Sequence, residues 1–146
     1  MAFPSNIDAA KAFLQLVLAD NNPTPQRLAY VLDQLACSYH ETPITESDDA
    51  EHEPLKSDID AQKLGVRFPH LGYYVVVDPT EDIEQPMLVG DAIDDLLDIS
   101  MDLQEVVWRF DNVSEADAHW HFRFLFEVHW GQHLRDLSRY LHSTLY

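Results

Sequence analysis

The 146-residue sequence has little positive charge: Lys and Arg number 9 against 26 Asp and Glu, so the formal net charge is −17. Proteins that bind nucleic acids place Lys and Arg against phosphates, and a surface of this sign repels polyanions and anionic membranes alike. We therefore expect neither nucleic acid nor a membrane as a partner. A basic protein or a divalent cation is electrostatically allowed, although the charge also serves solubility by itself.

Cysteine, glycine and long apolar runs are also scarce. The single cysteine, Cys37, excludes an internal disulfide and suits a reducing compartment; we interpret it as a packing residue on a helix. Residues 1–10 have no basic region, and the apolar stretch 13–19 is short and interrupted by Gln15. No signal peptide or membrane span is therefore predicted, and the expected location is the cytoplasm.

Two helices are predicted in the N-terminal part. The first covers about residues 6–19, and Ser5 with Asp8 three residues later resembles a capping box. The second starts at Pro25, with Thr24 as its cap. Each has an apolar stripe at helical spacing, and their short connection predicts antiparallel neighbours.

The segment that follows is strongly acidic. Residues 41–60 carry eight carboxylates against one base, Lys56, and Pro54 is one of two prolines that interrupt them. We interpret residues 41–56 as a solvated acidic loop, because acidic runs with few aromatics usually stay solvated. The alternative is a segment that attracts a basic partner.

A short helix and a hairpin are predicted next. Ser57 is expected to cap a helix that ends at Gly65. Residues 71–77 are β-branched and aromatic and are followed by an Asp-Pro pair, which predicts a strand. Residues 87–89 could pair with that strand, and since an isolated hairpin is marginal, we expect it to pack on the helices.

The third long helix is predicted from about Asp91 to Phe110. Its acids recur at spacings of four, three, four and three: Asp91, Asp95, Asp98, Asp102 and Glu105. At 3.6 residues per turn they form a narrow stripe opposite the apolar side. Magnesium-dependent helical pyrophosphatases use acids at such spacings but need a second acidic helix pair, which is not evident here. We therefore interpret the stripe as a solvated helix face.

The fourth predicted helix runs from about Glu115 to near the C-terminus, with Ser114 and Asp117 as another capping-box pair. It carries two wide apolar faces, which predict a central position in the fold. Gly131 lies inside it and costs about 1 kcal/mol relative to Ala. This glycine therefore indicates a close helix approach or a bend.

The sharpest candidate site joins the last two helices. His129 and His133 are four residues apart, project from one helix face and could share a metal ion. Acids of the third helix could add oxygen ligands, in a shell that suits Zn, Mn or Fe. Glu127 points about 160° away from His129 on an ideal helix. The candidate polar cluster comprises Asp95, Asp98, Asp102, Glu127, His129 and His133.

A structural interpretation of the two histidines competes with the metal site. Both imidazoles could be buried and hydrogen-bonded to Asp side chains or backbone, which would lock the third helix against the fourth. The sequence has no Gly-x-Ser-x-Gly motif and no Gly-rich phosphate loop. No cofactor is predicted on this basis, and a divalent metal is the alternative.

Two stretches of the sequence, residues 73–103 and residues 120–133, have a distinctive pattern. Residues 73–79 form an aromatic strand that ends in Asp-Pro, and residues 90–103 contain Gly-Asp-Ala-Ile-Asp-Asp-Leu-Leu-Asp-Ile and then Asp-Leu. Residues 120–133 read Trp-His-Phe-Arg-Phe-Leu-Phe-Glu-Val-His-Trp-Gly-Gln-His. Both resemble the bacterial domain of unknown function 5063 family, from about residue 70 onward and more loosely over the first two helices. The resemblance implies no activity and no catalytic residues. It directs attention to Asp95, Asp98, Asp102, Glu127, His129, Trp130, Gly131 and His133.

Together these features predict one mainly α domain over residues 1–146. We expect a bundle of four principal helices with a small β-hairpin between the second and third. Because no catalytic constellation is recognisable, we expect a non-enzymatic interaction or adaptor protein of the bacterial cytoplasm. The alternative is a metal-dependent hydrolase that uses Asp, Glu and His side chains of the third and fourth helices. The sequence leaves the oligomeric state open.

Overall fold

The computed structural model describes residues 4–53 and 55–146. The chain is mainly helical, at 63% helix, with a small antiparallel hairpin, as predicted. Pro54 and the first three residues of the N-terminal stretch lie outside the described residues. The elements are α1 (Asn6–Leu14) and a π turn (Gln15–Ala19), α2 (Pro25–Glu41), α3 (Ala61–Arg67), β1 (Tyr73–Val76), β2 (Leu88–Asp91), α4 (Ala92–Asn112), α5 (Glu115–Leu125), a second π turn (Phe126–Trp130) and α6 (Gly131–Leu145).

The caps of the first two helices are those predicted. The Ser5 hydroxyl accepts the Asp8 N–H at 3.1 Å, and the Thr24 hydroxyl accepts the Arg27 N–H at 3.2 Å. Each contact satisfies a backbone donor that the first helical turn leaves unpaired. The two helices pack on each other and on the later helices. Their fully buried side chains include Phe13, Leu28, Leu32 and Leu35.

Two local expectations are wrong. Cys37 is exposed rather than packed, because it lies outside the α2 stripe that buries Leu35 and Ala36. Ser57 does not cap α3: Asp60 is the cap, and its carboxylate accepts the Gln62 N–H at 2.8 Å. Asp60 immediately precedes Ala61, the first residue of α3, whereas Ser57 lies three residues before Asp60.

The acidic segment lies against the third and fourth predicted helices. Residues 43–60 contain no helix or strand at the positions that the structure describes. The Thr45 hydroxyl donates to the carbonyl of Ala116 at 2.6 Å, and the Asp48 N–H donates to Asp117 Oδ1 at 2.9 Å. Farther along, the Ser57 hydroxyl donates to Gln104 at 3.0 Å. Side chains and backbone groups of α4 and α5 therefore anchor the segment at several points.

The acidic stripe of α4 is not a solvated face, contrary to the prediction. Asp95 is only 4% exposed, and Asp98 and Asp102 are half-buried. Ile99 and Val106 are fully buried and lie one turn from Asp95 and Asp102, so the buried part of α4 includes the side that carries these two acids. Other elements therefore cover α4 on more than one side, and they also bury the acids.

The fourth predicted helix exists but is interrupted. A π turn at Phe126–Trp130 separates α5 from α6, so the last of the four principal helices predicted is two α-helical segments in the structure. A Cβ on Gly131 would collide with the Phe126 carbonyl oxygen, which the widened turn directs at it. The close approach predicted for Gly131 is therefore with its own helix. The α5–α6 segment packs on both α2 and α4 and buries Phe122, Trp130 and Leu137.

The hairpin sits on α4 and α6. Tyr74 pairs with Gly90 and Val75 with Val89 in the antiparallel register. The ring of Tyr74 stacks on that of Tyr140, with centroids 4.7 Å apart. A Cβ on Gly90 would lie 2.6 Å from the Tyr74 ring, so glycine lets this ring cross beneath β2. Within the described ranges, no helix is both long and apolar enough to pass through a bilayer.

Candidate functional site

The carboxylates of α4 face two imidazoles across the α4–α6 contact. Asp95, Asp98 and Asp102 occupy successive turns of α4, with side chains on the same side. His129 belongs to the second π turn and His133 to the first turn of α6. The two rings lie edge to face, with centroids 5.1 Å apart. The fold thus gathers five of the six residues of the predicted polar cluster.

His129 is held by the C-terminal acid of the group. Its Nδ1 lies 2.6 Å from Asp102 Oδ2, and its Nε2 lies 4.0 Å from Asp98 Oδ2. The side chain is 42% exposed, so solvent reaches this part of the cluster. Burial raises the pKa of Asp102 above its usual range, although the hydrogen bond from His129 opposes this.

His133, one helical turn after His129, is held in the same way by the N-terminal acid of the group. Its Nδ1 lies 2.7 Å from Asp95 Oδ1, and its Nε2 lies 3.2 Å from Asp98 Oδ2. The hydrogen bond to Asp95 raises the pKa of His133, which burial alone would lower. His133 therefore contacts two carboxylates, one through each ring nitrogen.

The two imidazoles have a common orientation as a result. An ionised carboxylate can only accept a hydrogen bond, so Asp102 and Asp95 each fix a proton on Nδ1 of their histidine. In the neutral ring the lone pair is then on Nε2, and both Nε2 atoms face Asp98. At 3.2 Å the Asp98 carboxylate favours a second proton on His133 Nε2, in agreement with the raised pKa of His133, and a metal ion at this place would replace that proton. The outer carboxylates thereby determine which nitrogen is free to bind an electrophile.

Tyr74 belongs to this network, although sequence reasoning gave it no role. Its hydroxyl donates to Asp95 Oδ2. Burial, and then the hydrogen bond to Asp95, raise the pKa of the Tyr74 phenol, which stays protonated. The signal that could have found it is strand alternation: Tyr73 and Val75 point outward, so Tyr74 must point toward the helices.

Glu127 does not join the cluster. It is exposed, and it borders a different surface depression that also contains Trp120, Arg123 and Phe124. This separation follows from its helical position, since Glu127 and His129 project in nearly opposite directions.

The donor atoms of three residues fit a metal ion in number and type. One ring nitrogen each of His129 and His133 and one oxygen of Asp98 lie within 4.8 Å of one another. Zn–N and Zn–O bonds of about 2.0–2.2 Å would bring these atoms closer still, which requires a small inward shift of the partly exposed His129. Two imidazoles and one carboxylate suit Zn or Fe.

A second polar cluster lies on α5, away from these histidines. The Asp117 side chain is fully buried, its Oδ2 is 3.0 Å from Arg109, and its Oδ1 is 3.4 Å from His121. Its Oδ1 also accepts the backbone N–H of Asp48 in the acidic segment. Burial alone would raise the pKa of Asp117, but the hydrogen bonds from the Asp48 amide and Arg109 outweigh burial and leave that pKa lowered.

Comparison with known proteins supplies the chain's relatives. The family model described as "Domain of unknown function (DUF5063)" matches residues 7–146. The crystal structure of protein BF1032 from Bacteroides fragilis, a structural genomics target, is similar in fold, with a TM-score of 0.75 at 18% identity. The match covers 97% of this chain and 90% of that one. No curated protein matches the chain.

Proposed function

We propose that this chain, which belongs to the DUF5063 family of domains of unknown function, binds one divalent transition-metal ion through Asp98, His129 and His133. We further propose that this ion makes it a metal-dependent hydrolase. Both statements concern chemistry that the family description leaves open.

One observation supports the proposal above the others: each imidazole is tied through Nδ1 to its own carboxylate, while both Nε2 atoms face Asp98. Histidine ligands of metals commonly donate their second N–H to a carboxylate, which fixes the tautomer and raises ligand basicity. Asp98, which both Nε2 atoms face, would be the third ligand, and the metal ion would take the place of a proton on Nε2.

The hydrolase role follows from the number of ligands. Three protein ligands leave at least one coordination position for water, and a bound zinc ion lowers the pKa of such a water to about 7. The exposure of His129 on one side gives a substrate access to that position. The chain itself would supply the ligands and their orientation.

Calorimetric titration of the protein, without a His tag, with Zn²⁺ and Mn²⁺ tests the binding. One site per chain is expected for the wild type, and it should be lost in His129→Ala, His133→Ala and Asp98→Asn. His142→Ala is the matched control, because His142 is a histidine of α6 whose ring packs at a tilt against Tyr146 instead. Binding that survives all three ligand variants would contradict the site.

The hydrolase role has a separate test. Metal-loaded wild type should hydrolyse at least one of a panel of chromogenic carboxylate esters and phosphate esters, and His133→Ala should not. Metal binding without hydrolysis of any compound in the panel would contradict the enzymatic role and leave the metal site intact.

We also propose that residues 1–146 are one domain whose long helices form a bundle. α1 packs on α2 and α4, and α6 packs on the same two helices, which is the pattern of a closed ring of four. A bacterial cytoplasmic location suits a chain with a single cysteine.

A non-enzymatic interaction role is the second candidate. The outer face of the hairpin supports it, because Tyr73, Val75 and Val89 are each more than 60% exposed, and exposed apolar patches often mark interaction sites. Retention of a basic protein at low salt that is lost at high salt would favour this role. Retention that does not depend on salt would contradict it.

A further inference from the structure

The β1 strand has one edge whose backbone groups β2 does not use. The Ala92 N–H donates to the Gly72 carbonyl at 3.1 Å, which makes residues 72 and 92 a hydrogen-bonded pair. Such pairs alternate along an antiparallel ladder, so Tyr74 and Val76 bond to β2. The N–H and C=O groups of Tyr73 and Val75 therefore point away from β2, toward the open edge.

A cleft of about 470 Å³ runs along this edge, between β1 and α6. One wall is residues 74–77, and the other contains Asp136, Arg139 and Tyr140. The strand wall includes residues from both faces of β1 but none of β2, which places the cleft at the edge rather than under the sheet. Its position suits one extended chain lying next to β1.

We propose that this cleft binds an extended, basic segment of a partner protein, which adds to β1 as a third strand. The proposal rests on the interaction role above and gives it a site. Strand addition supplies affinity through backbone hydrogen bonds, with alternate side chains giving specificity. A third strand would also complete a sheet that is smaller than an independently stable one and cover its exposed edge.

Charge identifies the occupant as basic. Residues 71–94 contain six carboxylates and no Lys, Arg or His. On the facing wall, Asp136 has no ion-pair partner among the residues that the structure describes, while Arg139 donates to the Ser143 hydroxyl. A second copy of this chain would bring the same carboxylates, and a net charge of −17, against the hairpin. Like-charge repulsion therefore disfavours self-association and favours a partner that carries Lys or Arg.

Two proline variants of the full chain test the edge. Val75 and Val89 are directly opposite in the register, and neither is in a hydrogen-bonded pair, so both N–H groups point outward on opposite edges. Proline is tolerated where a strand N–H faces outward. Val75→Pro therefore removes a donor from the β1 edge, and Val89→Pro removes the matching donor from the β2 edge.

The probe is a fluorescent six-residue peptide of alternating Lys and Val, acetylated and amidated at its ends, with binding followed by anisotropy. Wild type and Val89→Pro should bind it, Val75→Pro should bind about tenfold more weakly or worse, and a Glu-Val peptide should bind none of them. N-methyl groups can be placed on the odd-numbered or on the even-numbered backbone nitrogens of the peptide. One of these two placements should abolish binding to wild type, because it removes the N–H groups that face β1. This comparison tests the hydrogen bonds without altering the protein.

Other outcomes overturn the proposal. Binding lost in Val89→Pro but kept in Val75→Pro assigns the other edge, and equal binding of the Glu-Val peptide removes the basic partner. Failure of the Lys-Val peptide to bind wild type removes the cleft as a strand site. The interaction role is judged separately by the salt-dependent retention of a basic protein, so the two can fail independently.

Discussion

Oδ1 of Asp95 lies 2.7 Å from Nδ1 of His133, and Oδ2 of the same carboxylate accepts the hydroxyl of Tyr74. A residue that is only 4% exposed thus connects the hairpin, α4 and α6. Because both of its oxygens are engaged, the carboxylate cannot rotate without losing a partner. The His133 ring is held with Nε2 toward Asp98 for this reason.

Asp95→Asn should weaken metal binding without removing a ligand. Loss of an outer carboxylate typically lowers metal affinity about 10- to 100-fold, and loss of hydrogen bonds to a charged group should lower the free energy of unfolding by about 1.5–3 kcal/mol. Zinc titration and urea denaturation measure the two effects. Tyr74→Phe is the control: it removes one hydrogen bond and should change zinc affinity less than tenfold. An Asp95→Asn protein that binds zinc like the wild type would contradict the role given to this carboxylate.

The sequence predicts local structure here because local signals determine it. Ser5, Thr24 and Ser114 are caps in the structure, and the strand pair that contains Tyr74 forms as expected. The π turn at Phe126–Trp130 could not be predicted from the sequence, because its residues are equally compatible with an α-helix. Gly131 was the one signal of it, and a glycine within a helix is equally typical of a close helix contact.

Five of the six residues named from the sequence lie together in the structure, but their arrangement was not predicted. His129 and His133 were paired by their spacing, which the helix enforces. The burial of Asp95 was missed because it depends on which sides of α4 other elements cover, and a single helix does not encode that. The contact of Tyr74 with Asp95 joins residues 21 positions apart, so it required the hairpin to be placed on α4.

Gly131→Ala should destabilise the protein, although alanine is the better helix former by about 1 kcal/mol. The new methyl group would collide with the Phe126 carbonyl, and we expect a net loss of about 1–3 kcal/mol from overpacking. Gly65→Ala is the matched control, because a Cβ there has no atom within 4 Å and should stabilise α3 by about 0.5–1 kcal/mol. Thermal and urea denaturation of both variants would check this. Equal stabilisation by the two changes would contradict the account of the π turn.

Asp117→Asn should reveal a dependence of stability on pH. The pKa of Asp117 is lowered in the folded state, so the folded protein binds fewer protons at this site than the unfolded chain, whose Asp pKa is about 3.9. The stabilisation is therefore complete above about pH 4 and is lost as the pH falls through the folded-state pKa. Removing the charge beside Arg109 should cost about 3 kcal/mol at neutral pH.

The measurement is urea denaturation of wild type and Asp117→Asn from pH 7 to the lowest pH at which both fold. The gap in unfolding free energy should shrink below about pH 4, as the wild type loses its advantage. Amide hydrogen exchange at Asp48 should be faster in the variant at neutral pH, because its acceptor is changed. A gap that stays constant over the whole range would contradict the lowered pKa.

The imidazole nitrogens themselves test the metal site most directly. Long-range proton–nitrogen NMR on the histidine side chains, recorded before and after one equivalent of Zn²⁺, distinguishes the two nitrogens of each ring. We predict that the Nε2 signals of His129 and His133 shift while both Nδ1 atoms keep their protons, and that the other histidines are unchanged. Zinc that leaves these two rings unaffected, or that displaces the Nδ1 protons instead, would contradict the site.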